Sequence, residues 1–415
     1  MTAAAQDQPR RLLAINNYFY RRGGAEAVFL EHNRVFAQAG WKVVPFAMRH
    51  PKNIATEWSR YFVSEIEYGR NTSPWTKLRQ AAKIIYSMEA RRRIGEVLDR
   101  APPSVAHAHN VYHHISPSIF ATLKAAGVPT VMTAHDLKIA CPAYQMLAHG
   151  RVCEKCRGGR VHNVLLNRCV KGSSLLSGLV LAETLVHRGL GLYRDKVDRI
   201  ITPSRFYRDK LIAWGWNPDH LVHIPNFIDA QRFRRDWSEG NYFVFAGRLA
   251  PEKGLRTLVR AAALAGQRVV IAGTGPEEPE LRALASELDA DVTFAGYVAG
   301  EALHRLIGEA RALVLPSEWY ENAPVSVLEA YALGTPVIGA AIGGIPELIA
   351  DGETGLLAES GNVADLARVL SRMAERSPAS RARLGASGRA WVSRDFTAAA
   401  YRDRMLTTYD ALGAR

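Results

Sequence analysis

Short runs of Val, Ile, Leu and Ala recur along this chain, each bounded by Gly, Pro or polar residues and separated from the next by a stretch of helical pattern. Leu12–Asn16, Lys42–Phe46, Val105–His109, Pro129–Ala134 and Arg199–Thr202 form a first set, which Leu221–Ile224 closes. Tyr242–Ala246, Arg268–Ala272, Asp291–Phe294, Ala312–Leu315 and Pro336–Gly339 form a second. A strand that is apolar throughout must be covered on both faces, and strands that alternate with helices meet that demand in parallel sheets. The 415 residues also exceed what one compact core holds. Two doubly wound α/β domains are therefore expected, residues 1–225 and 226–397. The turn-forming segment Pro225-Asn226-Phe227-Ile228-Asp229 marks the passage between them. In open sheets of this kind ligands collect at the carboxyl ends of the strands, so a cleft between two such edges is the expected site.

Two segments interrupt the pattern. Residues 77–100 read as one helix with Leu78, Ala81, Ala82, Ile85 and Met88 on one face and Lys77, Arg79, Lys83 and Arg91–Arg93 on or near the other, which suits packing or a membrane surface. Residues 141–169 hold all four cysteines, Cys141, Cys153, Cys156 and Cys169. One Cys-x-x-Cys pair among four thiols suits a structural tetrahedral zinc, with free or redox-active thiols and an iron–sulfur cluster as the other readings. No run reaches the ~20 apolar residues a membrane span needs, and Met1–Gln8 is polar, so a cytoplasmic location is expected.

Charge is unevenly placed. Residues 1–225 carry 32 Lys and Arg against 16 Asp and Glu, a net of +16, and the rest carry 21 against 24, a net of −3. The positive field of the first half suits anionic lipid, an acidic acceptor or a nucleic acid.

The segment Glu318-Trp319-Tyr320-Glu321-Asn322-Ala323-Pro324-Val325-Ser326-Val327-Leu328-Glu329-Ala330 runs from a buried strand into an apolar helix. The unpaired N–H groups of Ala323, Val325 and Ser326 can face an anion there, and Pro324 has none to offer. Glu329 is an acid in an otherwise apolar helix and needs a partner. Arg248 and Lys253 follow the first strand of the second set closely enough to converge on one diphosphate, and Gly247 and Gly273-Thr274-Gly275-Pro276 end neighbouring strands. In the first half, Gly23 and Gly24 open a helix and permit a backbone approach to phosphate. The spacing is not Gly-x-Gly-x-x-Gly, which argues against a dehydrogenase. His135-Asp136 follows a strand directly, and His109 and His113 are weaker candidates of the same kind.

With Gly247-Arg248-Leu249-Ala250-Pro251-Glu252-Lys253-Gly254, Ile224-Pro225-Asn226-Phe227-Ile228-Asp229 and Gly343-Gly344-Ile345-Pro346-Glu347, these motifs stand in the order in which the chain resembles the retaining glycosyltransferases of family 4. The resemblance implies a GT-B fold, an N-terminal acceptor domain, a C-terminal donor domain and a last helix, 398–412, that crosses back onto the first. It implies transfer from a nucleotide sugar, a uridine-diphosphate sugar above all, with retention and without a catalytic metal. Arg248 and Lys253 would then stabilise the leaving diphosphate. Glu321 would contact hydroxyls of the transferred sugar and Glu329 those of the ribose, while Tyr297 and Val298 would meet the base and Asn322 through Ser326 complete the donor site. Gly23 and Gly24 would close over the diphosphate, and His135 would contact the sugar or help organise the acceptor. A glycan or lipid-linked acceptor in bacterial cell-surface polysaccharide assembly is expected, with an anionic membrane surface as a partner and no nucleic acid. The rival readings are a nucleotide-sugar epimerase and a non-enzymatic basic protein that binds nucleic acid or membrane.

Overall fold

A computed structural model of the chain describes residues 9–65, 74–234 and 238–414. In chain order the strands are β1 (Arg11–Ile15), β2 (Lys42–Phe46), β3 (Val105–Ala108), β4 (Thr130–Thr133), β5 (Leu147–Ala148), β6 (Arg151–Val152), β7 (Arg199–Thr202) and β8 (Leu221–His223). The second half contributes β9 (Phe243–Ala246), β10 (Val269–Ala272), β11 (Val292–Gly296), β12 (Ala312–Leu315), β13 (Val337–Ala340) and β14 (Gly355–Ala358). Two six-stranded sheets result, ordered β2-β1-β3-β4-β7-β8 and β11-β10-β9-β12-β13-β14, and β5–β6 is a separate hairpin. All pairings in the two large sheets are parallel.

Both faces of each sheet are covered except along the edge strand β11, where Thr293 and Ala295 are exposed, which is why the inner strands lack the apolar–polar alternation of a half-exposed sheet. Leu13 and Ile15 pack with Phe46 and Met132 on one side of the first sheet, whereas Leu12 and Ala14 pack with Phe29 and Phe36 on the other. In the second sheet Phe243 and Phe245 face one core and Val244 the other. Full burial of one such side chain contributes roughly 1.5–3 kcal/mol.

The chain passes between the sheets twice. The first passage follows β8, and the second precedes helix Ala398–Asp410, whose Tyr401, Met405 and Tyr409 lie in the first sheet's outer core. Ile228 N–H donates to the Phe396 carbonyl at 2.9 Å and ties the two passages together.

Two expectations change. The second sheet has a sixth strand, β14, beside β13. Residues 77–100 are not one helix: Pro74–Ile85 and Met88–Arg100 are separate, and the buried Ser87 caps the second by accepting from Ala90 N–H at 3.1 Å. The second helix therefore restarts its phase, burying Ala90, Ile94 and Val97 and leaving Met88, expected on the apolar face, 66% exposed. The side chains of Lys77 and Leu78 lie outside the described residues.

Candidate active site

Each sheet reverses its strand order at one point, between β1 and β3 in the first and between β9 and β12 in the second. Crevices open at the carboxyl ends of strands where the order reverses. In the second sheet the loop after β9 carries Arg248 and Lys253, and the loop after β12 carries Ser317 to Asn322. The two loops are laced together. Glu318 N–H donates to the Glu252 carbonyl at 3.0 Å. Gly254, at φ +68°, lies so near the β12 loop that a Cβ there would stand 2.0 Å from the Pro316 carbonyl oxygen.

At this crossing Lys253 Nζ donates to Glu321 Oε1 at 2.6 Å, and Ser317 Oγ donates to the same oxygen at 2.9 Å. Burial alone would raise the Glu321 pKa, but the ammonium charge and the hydrogen bonds to the carboxylate outweigh it and hold the group below the usual carboxylate range. Lys253 also lies 5.0 Å from the centre of the Trp319 ring. Arg248 is paired with the buried carboxylate of Glu252 and keeps 58% of its side chain exposed. The two cations are thus held by different carboxylates of one loop crossing.

Helix Val325–Leu333 starts directly after Pro324, so the N–H groups of Val325 and Ser326 stand in its first turn without intrahelical partners. Glu329 is the fifth residue of this helix, little more than one turn in. Burial raises its pKa, and Arg21, reaching over from the first domain with Nη2 at 3.4 Å from Oε1, draws it part of the way back. Gly23 and Gly24 lie beside Arg21 at the start of helix Gly24–Gln38. A Cβ on Gly24 would meet Val325 Cγ2 at 3.9 Å, and one on Gly23 only Glu26 Oε2 at 3.4 Å. The glycine turn therefore faces the other domain's helix N-terminus across a narrow gap.

His135 stands at the end of β4, partly exposed. Burial lowers its pKa to about 4, so the ring is neutral near neutral pH. Its Nε2 meets Nδ1 of the buried His109 at 2.7 Å. His109 Nε2 is buried with no partner among the described residues. If that atom bore the proton, a buried donor would be unsatisfied, which is rarer than an idle acceptor. The proton therefore sits on His109 Nδ1 and points at His135, which leaves the N–H of His135 on Nδ1. Behind His109, His32 and His107 complete a group whose ring nitrogens come within 4.8 Å of one another. The hydroxyls of Tyr401, Tyr409 and Thr133 engage the ring nitrogens of His32 and His107. Asp136 is raised to about 6 by burial.

Asn322 joins the two domains. Its Nδ2 donates to the carbonyls of Ala134 at 2.8 Å and His135 at 3.1 Å, and its Oδ1 accepts from Ser204 Oγ at 2.6 Å. The Ala323 carbonyl accepts from Asn226 Nδ2 at 3.0 Å. Glu347 reaches the start of helix Arg205–Ala213 in the first domain, where its carboxylate accepts from the backbone N–H groups of Arg205, at 2.8 Å, and Phe206.

The structure thus brings together Lys253 with Glu321, Glu329 and Val325 with the Gly23–Gly24 turn, and Asn322 with His135. Gly247 and Gly273 meet at the ends of β9 and β10, where a Cβ on Gly273, at φ +138°, would fall 1.8 Å from the Gly247 carbonyl oxygen. Tyr297, 80% exposed, and Val298 follow β11 at the outer edge of the sheet. Sequence reasoning left out Arg21, Ser204, Asn226, Ser317 and Glu347 as site-shaping residues. Asn226 and Glu347 stood inside motifs already singled out and Arg21 two residues before the Gly23–Gly24 turn, and only the partners were missing.

The cysteines lie in the insertion between β4 and β7. Cys141 and Cys156 are buried, Cys153 and Cys169 half-buried, and all four are free thiols. Burial, reinforced by the neighbouring Cys141, Cys169 and Cys153, pushes Cys156 up to about 12. Among the described residues the histidine group alone brings three ligand atoms within 4.8 Å, so the sulfurs are neighbours without being drawn to a point. The insertion also places Tyr144 at the cleft, within electrostatic reach of Arg248 and Asp136.

Two facing parallel-sheet domains with opposed switch points define the GT-B fold of glycosyltransferases. Sucrose-phosphate synthase from Thermosynechococcus elongatus shares it with a TM-score of 0.69 at 20% identity, over 98% of this chain and 99% of that one. Anabaena HepE in complex with UDP shares it with a TM-score of 0.67 at 16% identity, over 97% and 100%. The family model Glycosyltransferase Family 4 matches residues 22–232, and Glycosyl transferases group 1 matches residues 227–391. The chain belongs to glycosyltransferase family 4. D-inositol 3-phosphate glycosyltransferase of Mycolicibacterium smegmatis is 37% identical over 270 residues, or 60% of this chain. The match spans 61% of that relative's length.

Proposed function

We propose that the chain transfers a sugar from a nucleoside-diphosphate sugar, a uridine-diphosphate sugar in particular, to a hydroxyl of a glycan or lipid-linked acceptor, with retention of configuration. The place proposed for this step is bacterial cell-surface polysaccharide assembly on the cytoplasmic side. The observation that carries the reading is the Lys253–Glu321 pair at the foot of helix Val325–Leu333, opposite the Gly23–Gly24 turn and Arg21. The complex of the fold relative HepE with UDP supports the choice of nucleotide.

In this reading the diphosphate lies between the Gly23–Gly24 turn and the N–H groups of Val325 and Ser326, with Arg248 and Lys253 beside it. As the glycosidic bond breaks, its electron pair goes to the diphosphate oxygen, and the two cations take up the growing charge that a metal ion meets elsewhere. The acceptor hydroxyl attacks from the face the diphosphate leaves and gives its proton to a diphosphate oxygen, so no protein base is required. Glu321 accepts from hydroxyls of the transferred sugar and Glu329 from those of the ribose, with Tyr297 and Val298 at the base. His135, neutral, donates from Nδ1 to a sugar oxygen. A panel of nucleotide sugars tests the reading, because a donor that binds only the folded chain must stabilise it. One UDP-sugar is expected to raise the melting temperature and to be hydrolysed slowly without acceptor; a panel in which none does either would end the proposal.

We also propose that Cys141, Cys153, Cys156 and Cys169 hold one structural zinc ion, which would draw the four sulfurs together. The N–H groups of Ala143 and Met146 that reach the Cys141 sulfur support this, since such bonds favour a thiolate. Metal analysis is expected to find one zinc per chain and to lose it with Cys153→Ser/Cys156→Ser; metal-free protein of unchanged melting temperature would refute the site.

A further inference from the structure

Helix Ser174–Gly189 is built inside out. The face it turns to the protein carries Ser177, Val180, Glu183 and His187, all buried. Glu183 is held there by Lys138 Nζ at 2.8 Å, and His187 Nε2 donates to the Ile85 carbonyl at 2.7 Å. The opposite face carries Leu175, Ala182, Leu185 and Val186, all exposed. Leu175, Ala182 and Val186 fall on one stripe of an α-helix, with Leu185 alongside. A helix lying on a globular core arranges these types the other way round. Twelve large hydrophobic side chains are exposed among the described residues, and six of them fall within residues 166–190, which makes a patch rather than a scatter.

Charge surrounds this patch. Residues 151–190 hold seven Lys and Arg and two acids, Glu154 and Glu183. Both acids are ion-paired by lysines from outside the segment, Lys210 and Lys138. The seven cations are all exposed. A Cβ on Gly178 would stand 3.9 Å from Leu165 Cδ1, so helix Asn163–Leu166 packs on Ser174–Gly189 near its first turns, with Arg168 and Lys171 just beyond. Arg188 Nη1 stands 3.7 Å from the Cβ position of Gly159, which brings the loop holding Arg157 and Arg160 to the other end.

From this arrangement we infer that Ser174–Gly189 is a membrane-surface element that lies in the headgroup region of an anionic bilayer, its leucine face in the acyl boundary and its flanking cations on the lipid phosphates. No helix among the described residues is long and apolar enough to cross a membrane, so the contact lies in the plane of the surface. A second copy of the chain is the poorer occupant, because two-fold contact would set one net-positive patch against another.

Sedimentation with phosphatidylcholine vesicles, with and without phosphatidylglycerol, tests the inference. It needs no sugar donor, so its outcome is separate from the donor assignment. The wild-type chain is expected to co-sediment with phosphatidylglycerol vesicles, less with phosphatidylcholine alone, and less again in high salt. Leu175→Gln/Leu185→Gln is expected to lower the partition at least about tenfold, by loss of apolar insertion. Arg168→Glu/Lys171→Glu should remove the preference for phosphatidylglycerol, and both variants alter only exposed groups and should keep the wild-type melting temperature and donor hydrolysis. Failure of the wild type to bind phosphatidylglycerol vesicles, or equal binding by both variants, would overturn the inference. So would light scattering that shows a dimer dispersed by Leu175→Gln/Leu185→Gln.

Discussion

Replacing Lys253 by Ala separates what this residue does for the reaction from what it does for the fold. The ammonium is Glu321's charged partner at 2.6 Å, and Ser317 is left as a lone hydroxyl donor once it is gone. Removing one partner of a fully buried pair costs about 3–5 kcal/mol; with Lys253 20% and Glu321 10% exposed, about 2–3 kcal/mol is expected. Loss of one donor to a developing charge lowers kcat about 10²–10³-fold, equivalent to about 2.7–4 kcal/mol. The two effects differ in pH dependence. In the wild type the Glu321 pKa is depressed, so its stabilisation is present above the unfolded carboxylate value and fades as pH falls. Without Lys253 burial dominates and lifts the pKa above the unfolded value, so the variant gains relative stability on acidification. The stability gap to wild type, measured by urea unfolding, should therefore be wide at about pH 7 and nearly closed at about pH 4. Adding Glu321→Gln removes the stranded charge and should restore most of the stability without restoring turnover. Turnover of Lys253→Ala within a factor of about three of wild type, or a gap that ignores pH, would refute the reasoning.

Asn322→Ala strands two carbonyls and a serine hydroxyl at the seam between the domains and should cost about 2–4 kcal/mol, read as a lower urea midpoint. Gly273→Ala places a Cβ 1.8 Å from a backbone oxygen at a φ that L-residues avoid; a loss of at least about 2–3 kcal/mol is expected in the same assay. His32 is lowered to about 3 and His113, His135 and His223 to about 4, chiefly by burial, so below about pH 6.5 the unfolded chain takes up protons that the fold refuses. Stability should fall from about pH 6.5 toward about 4 by roughly 1.4 kcal/mol per pH unit for each such histidine, and a flat urea midpoint across that window would contradict it.

The strands were legible because double-sided burial writes itself as unbroken apolar runs, as in Leu12–Ile15 and Phe243–Ala246. Gly355–Ala358 escaped because a four-residue edge strand that begins with Gly differs little from the turn before it. The break at Ser87 is enforced from a distance: its N–H donates to Ser118 Oγ and its carbonyl accepts from the same hydroxyl, 31 residues away. The charged residues at strand ends stood out for their chemistry, whereas their partners did not, because Arg21 and Glu329 are 308 residues apart and Asn322 and Ala134 are 188 apart. Spacing along a chain carries no record of such meetings.

The return of helix Ala398–Asp410 to the first domain has a consequence for how the chain is made. Tyr401, Met405, Tyr409 and Ala414 finish a core whose other buried members, from Leu12 to Phe227, are synthesised far earlier. Until the ribosome has delivered the whole second domain, the first must wait with an open apolar flank and with His32 and His107 lacking their tyrosine hydroxyls. Cutting the gene at the first passage would therefore yield an N-terminal half prone to aggregation, and co-expressing helix Ala398–Asp410 as a separate peptide should rescue its solubility.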